Sequence, residues 1–184
     1  MPDPSQPRLS LAEWLVLCLV SEAPTHGFAL ARTLSEDGEL GQIWRVPKPV
    51  IYRALQRLES VGLATTVELQ PSSEGPVRAL VDVTRAGRDA ARAWLTKPAR
   101  HNRDIRSELL MKLALLDRAG ADPTPLLVAQ QALLEPVADA LQERLAGASG
   151  FDRMIILWRR ETVAATLRFL DDALRQASRV AKAR

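Results

Sequence analysis

The sequence predicts a mainly α-helical fold with a small β-hairpin, built as a punctuated N-terminal part followed by a long-helical C-terminal part. Three observations carry this. Short segments bounded by Pro and Gly fill the chain to about Leu95, and longer helical patterns follow Asp104. Only two neighbouring stretches, Thr65 to Gln70 and Val77 to Thr84, alternate with a period of two. The stretch Thr96 to Arg103, TKPARHNR, contains a proline and is otherwise mostly polar, so residues 97–103 read as a linker between domains at 1–96 and 104–184.

The first helix, Leu9 to Val20, is apolar nearly all round, which predicts burial on more than one side. Thr25 offers an N-cap for a second helix through His26, Gly27, Phe28, Leu30 and Leu34, ended by the Ser35 to Gly41 segment. A third helix begins at Pro49. There Ile51, Ala54, Leu55 and Leu58 recur at helical spacing until Gly62, leaving Tyr52, Arg53, Gln56 and Ser60 on the other side. The alternating stretches, with Val77, Ala79, Val81 and Val83 on one face, predict a hairpin joined by the six-residue polar loop PSSEGP. Thr84 then caps a fourth helix through Arg88, Ala91 and Leu95. Three helices, a hairpin and a further helix match a winged helix-turn-helix, whose third helix enters the DNA major groove while the hairpin lies along the backbone.

The C-terminal part reads as three helices. Ile105, Leu109, Leu113 and Leu116 mark the first; Leu127, Leu134, Leu141 and Leu145 mark the second, which Pro136 should kink or break and which Gly147 and Gly150 close. The last, from Phe151 to Val180, carries Val163, Leu167, Leu170, Leu174 and Ala177 at alternating spacings of 4 and 3. Such a seam packs either on a partner chain or on the two preceding helices, and periodicity does not distinguish them. Arg159, Arg160, Arg168 and Arg175 read as solvent charges on this helix.

Composition narrows the function classes. The chain has 184 residues, 47% apolar, with one cysteine and two histidines, which suits one or two small ordered domains and a reducing cytoplasm. Cys18, His26 and His101 cannot assemble a metal site, and no cofactor is implied. The apolar run Trp14 to Val20 falls far short of the roughly 20 residues needed to cross a bilayer, and its flanks do not suit a signal peptide. The net charge of +3 is uneven: residues 1–96 hold 10 basic and 11 acidic residues, residues 97–184 hold 15 and 11. Bulk charge therefore decides nothing. Local charge does: between Ile43 and Leu58 stand Arg45, Lys48, Arg53 and Arg57 without one acidic residue, the footprint of a phosphate-facing element.

These residues resemble the PadR-type transcriptional regulators over most of the chain. His26-Gly27-Phe28 resembles the family's His-Gly-Tyr, and Trp44 stands where the family has one before the third helix. Ile51-Tyr52-Arg53-Ala54-Leu55 with Leu58-Glu59 and Gly62-Leu63 is similar to Leu-Tyr-Arg-Ala-Leu, Leu-Glu, Gly-Leu. Gly75-Pro76 with Arg78, and Thr84 with Gly87-Arg88, resemble the wing elements, while Arg103-Asp104-Ile105-Arg106 and Leu109-Leu110-Met111-Lys112-Leu113 resemble the start of the C-terminal helices. The resemblance implies a homodimeric repressor on an inverted repeat, with Leu15 and Leu19 of the first helix and Val163, Leu167, Leu170 and Leu174 at the dimer interface. Tyr52 would give its hydroxyl to a phosphate, with Arg53 and Gln56 beside it and Lys48, Arg57, Arg78 and Arg45 supplying phosphate attraction. Some relatives bind aromatic effectors, for which Trp14 and Trp94 are the candidate contacts here. The chain departs from the family at Pro47-Lys48-Pro49, where a Ser or Thr is common, and in the wing at Ala79, Val81 and Asp82.

No nucleotide loop, nucleophile elbow or catalytic cluster is present in the sequence, so the chain reads as a regulator and not an enzyme. His26 reads as packing locally, Glu36-Asp37 with Glu39 as a solvated loop, and Cys18 as an inert buried thiol. The alternative is a winged-helix module that binds a protein in place of DNA.

Overall fold

The computed structural model describes residues 8–72 and 75–183, with the side chains of 8–69 and 79–179. Two compact units emerge: Met1–Leu95 with Leu110–Ala119, and Thr96–Leu109 with Gly120–Arg184.

The first unit holds α1 (Leu11–Glu22), β1 (Thr25–His26), α2 (Gly27–Thr33), α3 (Lys48–Ser60), β2 (Ala64–Ser72), β3 (Gly75–Val83), α4 (Arg85–Leu95) and α5 (Leu110–Arg118). A capping box opens α1: the Glu13 N–H donates to Ser10 Oγ and the Ser10 N–H donates to Glu13 Oε2 at 2.6 Å. Its apolar surface then packs against α3, α4, α5 and β3. Leu15 and Leu19, expected at a dimer interface, are 0% and 5% exposed within this unit's own core. Side chains so covered have no area left for a partner, which corrects that expectation.

α3 ends as its sequence predicts. The Gly62 N–H donates to the Glu59 carbonyl at 3.0 Å and the Leu63 N–H to the Leu58 carbonyl at 2.9 Å, with Gly62 left-handed at φ 72°. Thr84 fastens α4 to that turn: its Oγ1 donates to the Gly62 carbonyl at 2.8 Å and accepts from the Gly87 N–H at 3.0 Å. A Cβ on Gly87 would stand 2.0 Å from the Leu63 carbonyl oxygen, so only glycine lets the helix sit this close. The Thr-x-x-Gly element is thus one hydrogen-bonded joint.

Among the described residues the sheet has three strands in the order β1-β3-β2, all antiparallel. Thr25 pairs with Val81 and His26 with Leu80, so Thr25 lies in a strand, and the N-cap position of α2 is His26, without a side-chain cap. Nor does His26 pack locally: its Nδ1 lies 3.0 Å from the carbonyl oxygen of Ala79 on the wing. The hairpin also extends further than expected, pairing out to Ser72 opposite Gly75, so the loop is shorter than PSSEGP. Register shifts between Thr66 and Glu68 and between Gln70 and Ser72 interrupt the ladder: Val67 is extra on β2 in the first, and in the second Pro71 stands opposite two β3 residues, Pro76 and Val77. A proline such as Pro71 reads as loop in the sequence, yet an edge strand tolerates it where the pairing is irregular.

α5 departs from the expected boundary at residue 104. Met111 and Leu115 join the first unit's core, so residues 110–119 belong with the winged domain. Arg118 fixes the end of α5, donating from Nε and Nη2 to the two oxygens of Glu22 at 3.0 and 2.6 Å and from Nη1 to Glu39. The bond to Glu22, foremost, raises the guanidinium above its ordinary value and keeps it charged.

The second unit comprises a 3-10 turn (Asn102–Asp104), a π-helical turn (Ile105–Leu109), α6 (Thr124–Gly147) and α7 (Gly150–Ala183), with α6 packed on α7. Pro136 does not break α6, which runs through it. The expected linker is anchored: Ala99 is 1% exposed, its N–H donates to Gln130 Oε1 at 2.7 Å, and Gln130 Nε2 donates to its carbonyl at 3.1 Å. The α7 seam is divided. Val163 and Leu170 are buried within the chain while Leu167 and Leu174 are half-buried, so the first two are corrected from partner contacts to internal packing.

Candidate nucleic-acid interface

α3 presents two faces set by its sequence. Ile51, Ala54, Leu55 and Leu58 are buried, which turns Lys48, Tyr52 and Gln56 outward as one i, i+4 row and Pro49, Arg53 and Arg57 as the next; all six are exposed. Pro47 occupies the N-cap with no side-chain cap, and the first turn holds no acid. A lysine at the positive end of a helix opposes the macrodipole, but a phosphate placed there is attracted by both.

Tyr52 is held from below. Gly27 brings α2 so near that a Cβ on it would lie 2.8 Å from Tyr52 Cε1 and 3.2 Å from Leu55 Cδ1. The His-Gly pair therefore does two jobs: His26 ties α2 to the wing, and Gly27 seats the phenol. Arg53 borders a small cleft with Ser10 and Glu13 at the start of α1.

The other predicted contacts differ in availability. Arg45 Nη1 donates to Glu36 Oε2 at 2.7 Å, an exposed pair that a phosphate would have to displace. The side chain of Arg78 lies outside the described residues. Asp82 Oδ1 accepts from the Val83 N–H at 2.7 Å.

Trp14 and Trp94 come together, though not as an open pocket. Their rings stack at 5.4 Å and 6° between planes, Trp94 is 7% exposed, and the Lys112 ammonium lies 4.4 Å from its ring centroid. Lys112, itself 0% exposed, was missed as part of this cluster because lysines are seldom buried. Cys18 lies in the same core, and burial, reinforced by the Glu22 carboxylate and opposed by Lys112, pushes its thiol up to about 12. It is neutral at ordinary pH and inert.

The second unit carries an open groove of about 960 Å³ whose lining includes Leu133, Pro136, Val137, Trp158, Arg100 and Arg144. The start of α7 leaves Phe151, Met154 and the groove-lining Trp158 at 76%, 65% and 73% exposure.

Residues 16–93, which span α2, α3, the wing and most of α1 and α4, match the model of the transcriptional regulator PadR-like family. Over that span the chain is similar to this family. The matched family is one of transcriptional regulators. No curated protein sequence matches the chain. Similar solved structures include Bacillus subtilis PadR in complex with operator DNA, at 17% identity over 91% of this chain and 99% of that one, with a TM-score of 0.47. A Streptococcus mutans protein is similar at 16% identity over 88% and 97%, with a TM-score of 0.44. A PadR-like transcriptional regulator from Bacillus cereus is similar at 16% identity over 95% and 99%, with a TM-score of 0.42. Among the described residues, no helix is long and apolar enough to cross a membrane.

Proposed function

We propose that this PadR-like chain acts in the cytoplasm as a homodimer that binds an inverted-repeat operator in duplex DNA and represses transcription from it. The observation that carries the proposal is the outer face of α3, where Lys48, Tyr52, Gln56, Arg53 and Arg57 stand exposed on a helix whose opposite face is buried. In this reading Tyr52 and the basic side chains grip phosphates, Gln56 faces base edges, and the wing follows the backbone. Released counterions then make affinity fall steeply with salt.

The homodimer rests on the apolar surface of the second unit. Phe151, Met154 and Trp158 are too large and too exposed for a surface that faces only water, and together with Leu133 and Val137 they form a patch that a second copy covers. A small aromatic effector belongs to the same proposal as the releasing signal. In the chain alone Trp158, and not Trp94, is the indole open to it.

The test is titration of duplex DNA at two salt concentrations, with sedimentation on the same samples. Tyr52→Ala should weaken DNA binding and stay dimeric, whereas Met154→Asp with Trp158→Asp should yield monomers that bind operator poorly. Salt-independent binding would exclude the phosphate grip, and a dimer surviving both aspartates would exclude this face.

A further inference from the structure

Phe28 is the exposed aromatic on the DNA-facing side that the function above does not use. It stands on α2 at 56% exposure, beside the start of α3. The Lys48 Nζ lies 5.7 Å from the centroid of the Phe28 ring and 5.9 Å from that of Tyr52. Both distances fall within the roughly 6 Å over which a ring face attracts a cation. Two rings on one ammonium hold a side chain that would otherwise sweep through many rotamers.

The backbone beneath is equally restricted. Lys48 stands between Pro47 and Pro49, whose rings fix φ, and Pro47 sits at φ −61° and ψ 140°. Tyr52 is seated on Gly27, the residue next to Phe28, so the contact between α2 and α3 sets both rings together. A lysine that engages phosphate ordinarily gives up side-chain freedom when it binds. Here part of that loss is already incurred in the free protein.

We propose that Phe28 is a positioning residue for DNA binding: with Tyr52 it cages the Lys48 ammonium and holds it at the start of α3 for a DNA phosphate. The proposal rests on the assignment of α3 to DNA. It separates Phe28 from a packing residue, since a ring this exposed adds little to the core, and from a direct reader, since its effect passes through Lys48.

The experiment is a double-mutant cycle on duplex affinity, by fluorescence anisotropy at low salt, with Phe28→Leu, Lys48→Met and the double variant. Leucine keeps an apolar side chain and removes the ring face. Phe28→Leu should weaken binding about three- to tenfold when Lys48 is present and less than about 1.5-fold when it is methionine, while Phe28→Tyr should bind like the wild type. Equal losses in both backgrounds, or no loss in the first, would overturn the proposal. A second readout needs no DNA: ring currents should shift the Lys48 Hε resonances upfield, and Phe28→Leu should move them back. Unchanged resonances would dispose of the cage even if DNA affinity fell. A wild type that binds no duplex would instead refute the function assigned to α3, with the resonances still judging the cage.

Discussion

Replacing Gly27 with alanine tests whether the approach of α2 to α3 seats Tyr52 for DNA. The added Cβ would lie 2.8 Å from Tyr52 Cε1, 3.1 Å from Cζ and 3.2 Å from Leu55 Cδ1. Carbon atoms prefer about 3.5–4.0 Å, so the ring must retreat by roughly 1 Å. Overpacking of this kind costs about 1–3 kcal/mol, and the lost backbone freedom of the unfolded chain returns about 0.4–1 kcal/mol. Tyr52 is 41% exposed and can swing outward, which favours the low end. The net destabilisation should stay below about 1 kcal/mol, read by urea unfolding. Binding should suffer more, because a hydrogen bond to a charged phosphate is worth about 1.5–3 kcal/mol, or roughly 10- to 100-fold in affinity. Anisotropy with operator duplex measures it, with Tyr52→Phe as the reference for loss of the hydroxyl alone. Undiminished affinity in Gly27→Ala, alongside a clear loss in Tyr52→Phe, would refute the claim that Gly27 seats the phenol.

Glu36→Gln should free Arg45 and raise duplex affinity about two- to fivefold at low salt, with stability almost unchanged because exposed ion pairs contribute only about 0–1 kcal/mol. Gln130→Leu should destabilise the second unit by roughly 1–3 kcal/mol for each orphaned backbone group of Ala99, seen as a lowered urea midpoint. Cys18 should resist iodoacetamide in the folded protein at pH 8 and react once the chain is unfolded. Its folded pKa, raised to about 12, exceeds the unfolded value, so the stabilisation is complete below that unfolded value and is lost as pH rises towards 12. The unfolding free energy of wild type relative to Cys18→Ala should therefore fall between about pH 8.5 and 10, by up to ~1.4 kcal/mol per unit.

Much of the winged domain was legible because its signals are local. Ile51, Ala54, Leu55 and Leu58 define one helix face, Gly62 ends the helix, and Thr84 begins the next, each by chemistry within a few residues. β1 was not legible, since two residues cannot display a period, and its partner Leu80 lies far along the chain. Neighbour identity was hidden for a different reason. The apolar face of α5 looks the same whether it meets the winged domain or α6, and the Val163 and Leu170 seam looks the same whether it meets its own chain or a copy. At the candidate interface, Lys48, Tyr52, Gln56, Arg53 and Arg57 were found from charge and spacing. Phe28 was not, because an aromatic near a helix start reads as core until its exposure is known.

The most direct test of the central claim is selection of bound fragments from a random duplex library by wild type and by a Tyr52→Ala, Arg53→Ala double variant, at low and moderate salt. An enriched inverted repeat, with half-sites about one helical turn or roughly 34–36 Å apart, that vanishes with the double variant is the predicted result. Absence of any enriched sequence at either salt, or an identical motif retained by the variant, would contradict it.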